Sequence, residues 1–479
     1  MFARITSLLM VGLISFGTLA GARGISCDVV VVGGGGAGLS AAIEAANAGA
    51  DVVLLEKMPF LGGSTLISGG IVYAANTSIQ QQLGISDSAD AMYRYWMTLN
   101  QWQIDPARVR TIAEESGEAI DWLMELGVEF PVRHGSPGLY VSGVEDVPRG
   151  HAPVNAGRGL TTPLIDKVKS DPKITIMLDT EGIDIFTESG RVVGILALDK
   201  SGAELDIRSN AVVLATGGFA RDEEMMRRYL PRIAALGSRL YVQAALGSTG
   251  DGIRLGAKLG ADLVGMEQIT TIVLPGLPIE LEPVKLGAPA WLLFVNRNGQ
   301  RFINEAAPYV VKDAVMELQE QGLVWAICDS AALEGPWEEI DRYVETGFVV
   351  RRDTLDELAL ELGISPRGLV NTVKKHNADV ALGKDTLFFK DPAALKSFTT
   401  PPFYGVQVLP SRVLLTTGGL RVSPQAEVLT PEGDVIVGFY AAGEVTGGTL
   451  VPRYPGSGSA IAEAIVYGRI AGRNAAKVQ

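Results

Sequence analysis

"VVVVGGGGAGLSAA", residues 29–42, decides the fold. Four valines read as a buried strand, four glycines follow at once, and small helix-forming residues resume. The most flexible residues stand directly after a buried strand where the backbone must come very close to something, most often a phosphate. The surrounding stretch, "CDVVVVGGGGAGLSAAIEAANAGADVVLLEK" (27–57), completes the unit. Asp28 to Val32 is a strand. Leu39 to Ala48 is a helix that Gly49 ends. Val52 to Leu55 is a second strand, closed by Glu56. Gly33, Gly35 and Gly38 fill the G-x-G-x-x-G positions, with Gly36 and Ala37 between them. Glu56 stands about 20 residues beyond, where a carboxylate accepts from a ribose hydroxyl. A lone glycine loop is weak evidence, whereas strand, glycines, helix, strand and acid in this order read as a dinucleotide site.

Bulk properties bound what surrounds this unit. At 479 residues the chain is expected to hold two or more domains. A net charge of −13 argues against a nucleic-acid partner, which needs clustered Lys and Arg. Neither Cys27 nor Cys328 lies in a CxxC or CxxCH, and His134, His151 and His376 are too scattered for a zinc site or a Ser-His-Asp hydrolase, so no metal is expected. The start, "MFARITSLLMVGLISFGTLAGARG", has an early Arg4, an apolar run from Leu8 to Ala20, and Ala20-Gly21-Ala22. That is the layout of a cleavable secretory leader, residues 1–22, with a periplasmic or otherwise exported mature chain from Arg23. The apolar run falls short of the roughly 20 residues that span a bilayer. A retained N-terminal anchor is the alternative; no later segment reads as a membrane span.

The stretch "EKMPFLGGSTLISGG" (56–70) adds Lys57, Gly62, Gly63, Ser64, Thr65, Ser68, Gly69 and Gly70. Here the chain resembles the FAD enzymes that include fumarate reductase and succinate dehydrogenase flavoproteins and the 3-ketosteroid dehydrogenases. The resemblance continues, in order, at "AVVLATGGFARD" (211–222), "GSTGDGIRLGAKLGA" (247–261), "NRNGQRFINE" (296–305) and "GFYAAGEVTGG" (438–448). It implies an α/β fold: a Rossmann-like FAD-binding domain, residues 23–261 and 411–479, around an inserted α+β capping domain, residues 262–410. It also implies FAD contacts at the residues of the two glycine loops, at Ala215, Thr216, Gly217, Asp251, Gly443 and Glu444, and at Ser459, Ala460 and Ile461. Relatives that attach FAD covalently use a His in the loop after the acid. This chain has Ser64-Thr65-Leu66 there, so non-covalent FAD is expected. Within the first domain, residues 174–213 alternate and are split by Ser-Gly turns, which suits a small antiparallel sheet.

The departures from the family concern the substrate. Its fumarate reductases grip a dicarboxylate with two His and two Arg, one Arg giving the proton. "MEQITTIVLP" (266–275) holds no His, "LLTTGGL" (414–420) has Leu414 and Leu415 at the second His position, and "RFINEAAPYVVKD" (301–313) has Tyr309 in place of the acid Arg. A dicarboxylate buried beside two leucines without partners is costly, so fumarate is not the expected substrate. "NEAAPY" (304–309) is instead similar to 3-ketosteroid Δ1-dehydrogenases, in which the Tyr is the base. "RYPGSG" (453–458) resembles their Tyr-x-Gly-x-Gly. That match implies Tyr309 as the proton-transferring group, Tyr454 and the Gly458 N–H as a clamp on the substrate carbonyl, and Tyr140 as a poorly matched second tyrosine. Arg453 nearly coincides with an arginine that binds substrate carboxylate in the fumarate reductase branch.

Two flavoenzyme readings follow. One is a dehydrogenase of a CH–CH bond next to a ketone, steroid-like. The other is a reductase of an α,β-unsaturated carboxylate with Arg453 as anchor and Tyr309 as proton donor. A non-catalytic flavin-binding electron carrier is the third reading; without haem or iron–sulfur cysteines its electrons have no visible onward path. Each enzyme reading needs a small-molecule substrate and an external electron partner of unknown kind. The plain structural alternatives are that Tyr309 packs against the cap, that Tyr454 shapes a turn, and that His151 is an ordinary loop histidine.

Overall fold

The computed structural model describes residues 23–131 and 138–478. The leader and His134 lie outside the described residues. The chain begins with β1 (Val29–Val32), α1 (Gly36–Asn47) and β2 (Val52–Leu55), and both strands are buried at every position. Strands covered on both faces read as continuous apolar runs, which is why four valines in a row form the middle of a parallel sheet. Beyond the helix Ala156–Ser170, β3 (Ile174–Met177) pairs parallel with β2, and β4 (Ala211–Leu214) pairs parallel with β1. Between β3 and β4, Glu181–Glu188, Arg191–Leu198 and Glu204–Arg208 form an antiparallel sheet, with Arg23–Ser26 added along its edge. The strand-rich stretch 174–213 therefore divides: its middle is the antiparallel sheet, and both ends join the parallel one. Four-residue apolar runs are too short to display which period they follow.

The chain then leaves for a second sheet, made by β5 (Tyr241–Val242), β6 (Ile269–Pro275), β7 (Leu293–Asn296), β8 (Val324–Asp329), β9 (Val349–Arg352) and β10 (Phe403–Thr416). β10 is its hub, pairing with β5, β6, β8 and β9. This part has a core of its own, around Phe294, Ile327, Trp337 and Leu369. β10 runs through residue 410, where the sequence divides cap from FAD domain, and so carries the second sheet to the edge of the first. The chain returns as β11 (Glu427–Leu429) and β12 (Val435–Ala441), which complete a six-stranded order β11–β12–β4–β1–β2–β3.

The last helix, α2 (Ser459–Ala475), lies along α1. A Cβ on Gly468 would sit 2.4 Å from the Ala37 carbonyl oxygen, and one on Gly472 would sit 2.2 Å from that of Ala41. Only glycine allows backbones this close, and the two helices run parallel, so both N-termini open toward the same cleft.

Candidate active site

That cleft, of about 510 Å³, lies at the carboxyl ends of β1 and β4, the usual ligand position in an open parallel sheet. One wall is the start of α1. Gly33 has φ +107°, and a Cβ on Gly38 would meet the Gly33 carbonyl oxygen at 1.8 Å, so the turn and the helix behind it leave no room for a side chain. The N-cap, Gly35, offers no side-chain oxygen. Other helices here are capped in the ordinary way, for example by Asp105, Asp222 and Thr354. An uncapped helix start opening into a cleft is a ready anion site: its dipole favours negative charge, and of its first N–H groups only that of Gly36 has a side-chain partner among the described residues. Gly36 N donates to Thr65 Oγ1 at 3.2 Å, which fixes the second glycine loop against the first.

Glu56 ends β2 at the cleft. Its Oε2 accepts from Gly34 N and its Oε1 from Met58 N, both at 2.8 Å. Burial pushes its carboxyl above the usual range, and these two donors oppose the shift. Lys57 Nζ donates to Thr249 and Asp251 side chains across the cleft. Glu444 accepts from Thr416 N at 3.0 Å and Thr416 Oγ1 at 3.2 Å, and burial pushes its carboxyl up to about 7. Of the FAD contacts the resemblance implies, all line this cleft except Gly38, Gly62 and Ser459. Gly38 packs under the turn, Gly62 N donates to Gly34 O at 2.8 Å, and the buried Ser459 hydroxyl donates to Gly456 O at 2.9 Å. A glycine cradle, a free helix N-terminus and an acid at the end of β2 fit the pyrophosphate and ribose of FAD, and the Gly62–Gly70 loop continues along the floor of the cleft.

The opposite wall is built from three distant segments. Tyr309 opens the helix α3, Tyr309–Glu317, directly after Pro308. Tyr454 precedes α2, whose N-cap Gly458 has φ +100° and, like Gly35, no side-chain cap. The two tyrosine rings lie 6.3 Å apart, tilted at 38° to one another. The Ser457 hydroxyl donates to Tyr309 Oη at 3.4 Å. Tyr454 Oη accepts from Ala460 N at 3.0 Å, which leaves its own proton to give. Burial pushes the Tyr309 hydroxyl up to about 12 and that of Tyr454 well above the ordinary range.

Leu414 and Leu415 both line the cleft, which a regular strand cannot arrange because successive side chains alternate. The register explains it: Thr270 faces Leu415 and Thr271 faces Val413, so Leu414 is an extra, bulged residue in β10. A bulge re-aims a side chain in this way. The result is an apolar surface between the tyrosines and β5.

The remaining site residues lie further off. Tyr140, in the short strand Leu139–Tyr140, is not a lining residue, although it is near enough to weigh against the Tyr309 anion. Arg453 is half-buried and outside the lining; its main-chain N donates to Asn100 Oδ1 at 2.7 Å. His151 is buried and neutral, its Nδ1 on the Arg149 carbonyl and its Nε2 on the Thr77 hydroxyl, with burial pushing its ring down to about 4. Among the cleft residues to which the sequence assigns no role are Ser457, inside the quoted "RYPGSG", and Gln243, for which no local pattern gives a signal.

The FAD binding domain family matches residues 28–461. The chain is 33% identical over 466 residues to fumarate reductase (cytochrome) of Shewanella frigidimarina, covering 96% of this chain and 78% of that protein. It is 32% identical to NADH:acrylate oxidoreductase of Vibrio harveyi over 94% of this chain, and it spans half the length of that larger protein. Among solved structures it is similar to 3-ketosteroid-Δ4-(5α)-dehydrogenase of Rhodococcus jostii RHA1 in complex with 4-androstene-3,17-dione, at 30% identity and a TM-score of 0.78, covering 96% and 98% of the two chains. With most of its length inside the domain match, and with the glycine cradle, acid and loops in their places, the chain belongs to the family of FAD-dependent oxidoreductases that holds the fumarate reductases and ketosteroid dehydrogenases.

Proposed function

We propose that the protein oxidises or reduces a CH–CH bond next to a carbonyl, in the manner of a 3-ketosteroid dehydrogenase, with non-covalent FAD. The observation that carries this is the Tyr309–Tyr454 pair against the Leu414–Leu415 wall, in one cleft with the glycine cradle. The carbonyl oxygen of the substrate sits between the Tyr454 hydroxyl and the Gly458 N–H. Two preorganised donors stabilise the negative charge that develops on that oxygen and make the neighbouring C–H acidic. Tyr309 transfers the proton at that carbon, with Ser457 bonded to its oxygen. Bound FAD supplies the hydride chemistry at the adjacent carbon. Leucines in place of the histidine anchors suit a flat apolar substrate and not a small dicarboxylate.

The resting state of Tyr309 bears on the proton step. With its hydroxyl raised to about 12, it holds its proton at neutral pH, so it gives a proton as it stands and takes one only after losing its own. That protonated resting form is the one the second reading, reduction of an α,β-unsaturated carboxylate, uses as proton donor. Absorbance of the bound flavin separates the two readings. Bleaching by a saturated 3-ketone supports dehydrogenation, and re-oxidation of dithionite-reduced enzyme by an enone or enoic acid supports reduction. Neither response to any such compound overturns the proposal. Acid precipitation should release all yellow colour to the supernatant if FAD is non-covalent. Export is proposed from the leader, and N-terminal sequencing of secreted protein should begin at Arg23.

A further inference from the structure

Gln243 is a polar side chain of the cleft that neither the FAD contacts nor the tyrosines use. Gln243 follows β5 and lines the cleft. Its main-chain N–H donates to Val413 O at 2.9 Å, and its Oε1 accepts from Arg412 Nε at 2.8 Å. A carboxamide whose oxygen is held this way turns its Nε2 donors to the other side, and among the described residues they meet no partner. Arg412 is half-buried, with its guanidinium 5.9 Å from the centre of the Tyr241 ring, and no acid among the described residues pairs with it.

The other cations at the cleft are already engaged. Arg221 donates to the carbonyls of Val242 at 2.7 Å and Ala244 at 2.8 Å, which fixes the backbone that carries Gln243. Lys57 pairs with Asp251. Arg453, the arginine the sequence offers as an anchor, and Arg412 are both outside the lining; among the described residues, only Arg412 of the two bonds a lining side chain, Gln243. Arg412 retains unused N–H groups next to a free amide donor, at the end of the leucine wall on the same strand.

Building on the substrate cleft proposed above, we propose that Arg412 and Gln243 form a carboxylate-recognition point, so that the preferred substrate is an apolar carbonyl compound that also carries a carboxylate. The apolar body lies on Leu414 and Leu415, and the carboxylate accepts from Gln243 Nε2, with the Arg412 guanidinium behind that amide. Gln243 is the direct contact and Arg412 orients it while supplying the charge.

The test uses the FAD-loaded protein and two matched ligand pairs, each with a ketone and a separate carboxylate: 3-oxo-4-androstene-17-carboxylate with its methyl ester, and 3-benzoylacrylate with its methyl ester. Binding is read from the perturbation of the flavin spectrum. At least one acid should bind ten-fold or more tighter than its ester. Arg412→Leu should remove that preference, and Gln243→Leu should shrink it, while the ester's affinity and the FAD content stay unchanged. Binding of esters and acids alike in the wild type overturns the inference and leaves the cleft reading intact, as does a preference that survives both variants. Failure of all four ligands to bind overturns the cleft reading and the inference with it.

Discussion

α1 and α2 both open into the cleft from a glycine without a side-chain cap, yet the two starts are built on opposite principles. At α1 the site is defined by what is missing. Gly33, Gly35 and Gly38 keep Cβ atoms out of the turn so that backbone N–H groups can meet a phosphate. At α2 it is defined by what converges: Tyr309 from one segment, the bulged Leu414 and Leu415 from another, Tyr454 and Ser457 from a third. Space for a group common to many enzymes is made by absence, and discrimination among substrates by side chains that only the tertiary fold assembles.

The largest expected effect tests the first half of that contrast. In Gly38→Ala the new Cβ would lie 1.8 Å from the Gly33 carbonyl oxygen, so the turn must open and FAD binding should be lost altogether. In Gly35→Ala the nearest atom is the Gly63 Cα at 3.9 Å, and φ is −79°, which alanine adopts freely. That protein should keep its unfolding temperature and lose FAD affinity only through crowding of the ligand. Flavin content and a melting curve of both variants check this; equal loss in the two would mean the loop is sensitive to any Cβ and not to one contact.

The second prediction tests the converging side. Tyr309→Phe removes one hydroxyl, so FAD should stay bound while turnover falls by about 10²–10⁴. The pH profile gives the direction. Proton abstraction by a group raised to about 12 needs its anion, so a dehydrogenation rate should climb close to tenfold per pH unit through neutrality. A reduction, in which the neutral phenol gives its proton, should be flat there. Full activity of Tyr309→Phe toward any compound that reduces or oxidises the flavin would sink the mechanism for both substrate classes.

The same contrast explains what the sequence made legible. The cradle could be read because spacing alone encodes it: a local glycine pattern between two apolar runs has one economical structure. Tyr309 and Tyr454 lie 145 positions apart in the chain, and only a family resemblance joined them before the fold did. The bulge at Leu414 was hidden because nothing in "RVLLTT" breaks the strand pattern; the offset arises from pairing with β6. Gln243 was invisible for the same reason, since its partner Arg412 comes from a strand laid down far later. The ends of the 174–213 stretch went to the parallel sheet because four-residue runs do not reveal their partners.

A smaller effect is expected at Glu56, the residue proposed to accept from the ribose. Its carboxylate already accepts from Gly34 N and Met58 N. Glu56→Gln keeps one acceptor oxygen, whereas Glu56→Arg offers only donors to those N–H groups and to the ribose. Each lost bond to a charged group costs about 1.5–3 kcal/mol, so FAD should bind the Arg variant more weakly than the Gln variant. Wild-type affinity in both, measured by flavin fluorescence titration, would remove Glu56 from the ribose.

The smallest effect is expected at Arg453, and it decides between anchors. The bond that holds this loop runs from the Arg453 main-chain N–H to Asn100 Oδ1, so truncation of the side chain leaves it in place. The guanidinium is outside the cleft lining, next to an exposed Pro452. Arg453→Ala should therefore behave as a surface change, within about 0.5 kcal/mol, or roughly a factor of two in turnover. A substrate carboxylate anchored there would instead lose its charged partner, and binding would nearly vanish. Such a loss, with FAD content and unfolding temperature unchanged, would mean that Arg453 swings into the cleft when substrate binds and would return the anchor from Arg412 to the position it holds in the fumarate reductase branch. Near-wild-type turnover, measured with a carboxylate-bearing substrate, leaves Arg412 and Gln243 as the cationic and amide donors next to the leucine wall.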